Sequence, residues 1–132
     1  MRTLLAALLL MAVPALADDI VSPEEFREYA EGYTVYFERN GQPFGSESFE
    51  PGGKTRWRFN DGSCVRGVWQ PQGAQLCFLY DMDSAGPLCW RMLRDDEGMV
   101  ARLLDGPDAG MEIRIIGRDK APLLCGEPGR ST

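Results

Sequence analysis

Histidine is absent from the 132-residue chain, and with it every Ser-His-Asp or Cys-His catalytic arrangement and every His-ligated metal site. No Cys-X-X-Cys pair occurs among Cys64, Cys77, Cys89 and Cys125, which removes zinc knuckles and thioredoxin-type chemistry. Positive charge is in deficit: 14 Lys and Arg against 20 Asp and Glu give a net charge of −6. That balance disfavours nucleic acid and anionic membrane as partners. No apolar run approaches the roughly 20 residues that a membrane-spanning helix needs. No Asn-X-Ser/Thr acceptor for glycosylation is present either.

What is present begins with a leader. Arg2 precedes the apolar run from Leu4 to Val13, and Ala15-Leu16-Ala17 follows it. This is the pattern of a secretory signal peptide over residues 1–17. Asp18 would then open a single domain over 18–132, with no cysteine at the cut to carry a lipid. The implied location is the periplasm, with secretion as the alternative.

Ser22-Pro23-Glu24-Glu25 is a capping box with proline at the first helical position. Phe26, Tyr29 and Ala30 recur at helical spacing and Gly32 supplies a stop, so a short helix is expected at about 23–31. Beyond Gly32 the period changes to two. Eight runs are separated by Gly, Pro, Asn and Asp clusters: Tyr33–Arg39, Phe44–Phe49, Thr55–Phe59, Cys64–Trp69, Gln75–Tyr80, Leu88–Arg94, Met99–Leu104 and Met111–Ile116. The fold class is mainly β, an antiparallel meander of about eight strands at 33–116 with a tail over 117–132. Because open sheet edges invite aggregation, such a meander is expected to curl into a small barrel or a strongly coiled sheet.

Asn60-Asp61-Gly62 suits a three-residue hairpin that sets Trp57 opposite Val65. Continuing the register pairs Trp69 with Ala74, Leu76 with Trp90 and Phe78 with Leu88. Trp57, Phe59, Val65, Trp69, Leu76, Phe78, Tyr80, Leu88, Trp90 and Met92 then face inward, joined by Met111, Ile113 and Ile115. The same phasing puts Cys64, Cys77 and Cys89 outside, with Cys77 opposite Cys89. Four cysteines admit three connectivities. The register favours Cys77–Cys89, leaving Cys64 for Cys125 in the tail, and does not eliminate the other two. A tail so anchored would lie over Val68, Leu79 and Leu93.

Two further groups are candidate sites. Trp57, Trp69, Trp90 and Tyr80 could line a barrel cavity for a small apolar or stacked ligand, against the alternative of a filled core. Arg56, Arg58, Arg66 and Arg91, with Arg102 beside Arg91, would form a basic stripe on the outer face, suited to an anion or simply solvated. Asp81, Asp83 and Gly86 occupy three positions of a calcium loop, but Met92 stands where the closing glutamate is needed. No catalytic set, metal site or cofactor is implied.

The stretch from Tyr33 to Trp90 carries Tyr36, Phe44-Gly45-Ser46-Glu47, Trp57-Arg58-Phe59, Asp61-Gly62-Ser63-Cys64, Gly67-Val68-Trp69, Gly73, Cys77-Phe78-Leu79-Tyr80 and Cys89-Trp90. In these landmarks it resembles small exported proteobacterial β-domain proteins of unknown function. The resemblance implies a compact β-domain with paired cysteines and brings no activity or cofactor.

The functional expectation is a non-enzymatic module that binds or inhibits a protein or a cell-envelope component. A basic partner such as a lysozyme would suit the charge. The alternative is a lipocalin-like carrier of a small apolar or aromatic ligand.

Overall fold

The computed structural model describes residues 19–82 and 86–126; the leader read over 1–17, the end of the tail and part of the loop after Met82 lie outside them. In chain order the elements are β1 (Asp19–Ile20), α1 (Pro23–Ala30), β2 (Thr34–Arg39), β3 (Gln42–Phe49), β4 (Lys54–Arg58), β5 (Cys64–Gln72), β6 (Gln75–Tyr80), β7 (Leu88–Asp95), β8 (Gly98–Leu103) and β9 (Glu112–Asp119). All eight expected strands form. Each from β2 to β9 pairs antiparallel with its successor, and β9 pairs back with β2. The meander is therefore a closed eight-stranded barrel with no free edge among these strands. The two-residue β1, unforeseen in the sequence, adds to β7 through Asp19 opposite Arg94 and Ile20 opposite Leu93.

The helix forms as its cap predicts. The Glu25 amide donates to Ser22 Oγ at 3.1 Å, and the helix ends at Ala30, before Gly32 with φ +85°. Phe26 and Ala30 are fully buried. Phe26 meets Phe49 and Trp69 edge-on, with ring centroids 5.3 and 6.0 Å apart. Thus α1 caps one end of the barrel, beside the β3–β4 and β5–β6 turns. The opposite end carries the hairpins at 40–41, 59–63 and 104–111, with Tyr80 of β6 and Leu88 of β7.

The central register holds. Trp57 faces Val65, and Gly62 takes φ +90° in the turn between them. Leu76 faces Trp90, and Cys77 faces Cys89. The β5–β6 hairpin corrects the expectation. β5 runs through Pro71 to Gln72 and reverses over Gly73-Ala74, so Trp69 faces Phe78 rather than Ala74. A two-residue turn with glycine first suits the strand twist, and the longer hairpin stacks Trp69 on Phe78 with centroids 6.0 Å apart. The displacement is even-numbered, so every side chain keeps its assigned face.

Both favoured disulfides are present, Cys64–Cys125 and Cys77–Cys89, the latter with Cα atoms 4.0 Å apart. They fit an oxidising compartment, periplasmic or extracellular. No helix among the described residues is long and apolar enough to cross a membrane. The tail takes a different path from the one expected. It passes Thr34, whose hydroxyl donates to Ala121 O, and reaches the β4–β5 turn, where Gly126 N donates to Gly62 O. It therefore leaves Val68 and Leu79, a cross-strand pair on β5 and β6, each 51% exposed. Leu93 is buried, but its cross-strand neighbours are Ile20 of β1 and Val100 of β8.

Candidate functional site

The barrel interior divides into two halves. Towards α1 it is solid: Phe26, Phe49, Trp69, Leu76 and Phe78 belong to one packed cluster. Towards the open end it holds a cavity of about 430 Å³. The floor is made by Phe26, Phe49 and Leu76, and the mouth by Phe59, Met82, Leu88 and the 105–108 loop.

Of the four aromatic residues expected around a barrel cavity, Trp57, Tyr80 and Trp90 line this one. Trp69 does not. The longer β5–β6 hairpin places it in the closed half, under α1, with the Arg27 guanidinium 4.7 Å from its ring centroid. Two inward-facing glycines make room for the wall. A Cβ at Gly45 would come within 2.2 Å of the Trp57 ring, and one at Gly67 within 2.6 Å of the Tyr80 ring. Each aromatic ring therefore lies against the bare backbone of a neighbouring strand. Trp57 also contacts Phe37 and Phe44, with centroids 5.6 and 5.8 Å away.

The sequence reading missed Glu47. It sits on the inner face of β3, opposite Val35 on one side and Trp57 on the other, and is only 3% exposed. Its Oε2 accepts the Tyr80 hydroxyl at 2.6 Å. Its Oε1 is buried without a hydrogen-bond partner, as is the hydroxyl of Thr55. Burial pushes the Glu47 carboxyl up to about 8 from an ordinary 4.5, with the Tyr80 hydroxyl and the adjacent Thr55 hydroxyl pulling the other way. The Tyr80 hydroxyl is in turn held well above its usual value, by burial first and by Glu47 second. The carboxyl is thus mostly neutral at pH 7. A signal for Glu47 did exist: Gly45, Glu47 and Phe49 alternate on one face, and extending the β4 register across Pro51-Gly52-Gly53 would have set Glu47 beside Trp57 inside the barrel.

Asp105 stands at the cavity's rim, where its Oδ2 accepts the Cys89 amide at 2.8 Å. Asp108 lies on the same loop. Among the described residues no Lys or Arg lines the cavity.

The basic stripe divides. Arg56 faces Arg66 across β4 and β5, and Arg58 donates to Leu124 O at 2.8 Å, so part of it anchors the tail. Arg91 lies apart on β7, opposite Arg102 as expected, and Arg102 is paired with Glu112 at 2.9 Å. Among the described residues no His, Cys, Asp and Glu cluster is arranged as a metal site, and all four cysteines are in disulfides.

No family model matches the sequence, and neither a curated protein nor a solved structure matches it.

Proposed function

We propose that the protein is a binding protein or carrier for a small, largely apolar ligand held in the open half of the barrel, acting in the periplasm or outside the cell. One observation carries this reading: the aromatic interior is hollow at one end and open to solvent there, with a volume of about 430 Å³. That is within the range of small-molecule sites, which are concave, mostly apolar and furnished with a few polar groups. An eight-stranded barrel has interior enough either to fill with side chains or to hold one small ligand. Small residues on the inner wall, Gly45, Gly67 and Ala101, support the second use. The reading involves no catalysis.

The test uses a neutral solvatochromic dye such as Nile red. Saturable one-site binding with a blue-shifted emission is expected. Ala101→Phe, which fills the cavity, and Leu88→Trp, which narrows its mouth, should each abolish it while circular dichroism stays unchanged. Dye binding that survives both changes, or none in the parent protein, overturns the proposal.

The second reading, a module that binds a basic protein or envelope component, is supported by the net charge of −6. Failure to retain lysozyme at low salt would remove its most concrete form.

A further inference from the structure

We propose that the cavity selects an organic ammonium ion, a protonated primary or secondary amine on an apolar body, with Glu47 as its counter-ion. This rests on the cavity being a ligand site and adds the chemical class of the ligand.

The geometry comes first. Glu47 is enclosed mostly by apolar and aromatic side chains, with one carboxyl oxygen bonded to Tyr80 and the other beside the Thr55 hydroxyl but outside hydrogen-bond geometry with it. A buried polar atom without a partner is destabilising; once the carboxyl is ionised that oxygen is an acceptor, and an N–H donor carried in by a cationic ligand would satisfy it. Charge then narrows the donor to a cation. Among the described residues, the ionisable side chains that line the cavity are Glu47, Tyr80, Asp105 and Asp108, all of them acids. An anionic ligand such as a fatty acid would meet the Asp105 and Asp108 carboxyl groups at the rim and, among the described residues that line the cavity, no basic side chain to receive it. An ammonium ion would instead be drawn in by the rim and held among Trp57, Trp90, Phe44 and Phe59, and aromatic side chains of this kind stabilise cations.

Of the elements around Glu47, β2 contributes Val35, β4 contributes Thr55 and Trp57, and β6 contributes Tyr80, so among the described residues Tyr80 is the other titratable group facing it. The exchange balances simply. The empty site holds Glu47 as the neutral acid. The ammonium ion enters with its own proton, the carboxyl gives its proton to solvent, and an ion pair forms. Binding near neutral pH therefore releases a proton.

Calorimetry with tryptamine, tryptophol and indoleacetate, matched in their ring and differing in charge, tests this. At pH 7 tryptamine should bind about ten-fold or more tighter than tryptophol, as a charge-assisted hydrogen bond implies, and indoleacetate should bind weakest. Repeating the titration in buffers of different ionisation enthalpy should show close to one proton released per tryptamine and none per tryptophol. Glu47→Gln should bring tryptamine down to the level of tryptophol and leave tryptophol nearly unchanged. Equal binding of amine and alcohol, tightest binding of the acid, or no proton release by the parent protein overturns the ammonium assignment. If tryptophol binds without any preference for the amine, the cavity remains a ligand site and only the assignment falls. If none of the three binds, both fall.

Discussion

Folding stability measured against pH, for the parent protein beside Glu47→Gln, reads the burial of this carboxyl directly. Its folded-state pKa of about 8 lies above the ordinary 4.5 expected when the chain unfolds. Below 4.5 the group is protonated in both states and its contribution to stability is intact. As pH rises from there, the unfolded chain gives up its proton while the folded one keeps it, so stability falls. Above 8 both states are ionised and the loss is complete. The two values differ by about three and a half pH units, which corresponds to about 5 kcal/mol in full and about 4 kcal/mol between pH 5 and pH 9. Against a domain stability of about 5–15 kcal/mol this is a large fraction. Glutamine has the shape of the neutral acid and cannot ionise. Urea unfolding of both proteins, with disulfides intact, should therefore give similar stabilities at pH 5 and a widening advantage for Glu47→Gln up to pH 9. Other groups titrate equally in both proteins and cancel in the difference. Two curves that stay parallel within about 1 kcal/mol across this range would refute the burial of an uncompensated carboxyl.

Two more predictions concern the frame around the cavity. In the chain-entropy account, the bridge from Cys64 to Cys125 closes a 61-residue separation and is worth about 4 kcal/mol, whereas Cys77–Cys89 closes one of 12 and is worth about 3. Paired Cys→Ser variants compared by urea midpoint should show the larger loss for the first, and equal or reversed losses would contradict it. Gly45→Ala drives a methyl group into the Trp57 ring; a loss of about 1–3 kcal/mol, typical of overpacking, should appear with a change in tryptophan emission. Unchanged melting and emission would show that Trp57 does not rest on Gly45.

The strands and the central faces were legible because turn chemistry and period-two alternation are local signals. Asn60-Asp61-Gly62 fixed the hairpin that set Trp57 against Val65, and the phase of that hairpin carried Cys77 to Cys89. Where two signals competed, the reading slipped. Pro71 looked like a break, yet β5 continues through it, because reversal at Gly73-Ala74 lets Trp69 stack on Phe78. The tail's path was not legible at all. It depends on Arg58 meeting the Leu124 carbonyl and Thr34 meeting that of Ala121, contacts between residues far apart in sequence. Nor was β1, whose two residues pair only with the far end of β7.

The hollow interior follows from the same composition that suggested a filled one. Three tryptophans and their aromatic neighbours have ample volume to pack a barrel of eight strands, and Trp69 and Phe78 do so beneath α1. The open half differs in where its large side chains go. Trp57 and Tyr80 each lie beside a glycine of the neighbouring strand, Gly45 on β3 and Gly67 on β5, so their rings settle on backbone at the wall instead of reaching across the centre. Ala101 leaves further space on the facing strand. A sequence count of aromatic residues cannot distinguish these cases, since it records volume and not direction. The pairing of an inward glycine with a cross-strand or diagonal aromatic residue does distinguish them. Read that way, Gly45 with Trp57 and Gly67 with Tyr80 mark the wall of a cavity, and the position between Gly45 and Phe49 on the same face is where the buried carboxyl of Glu47 stands.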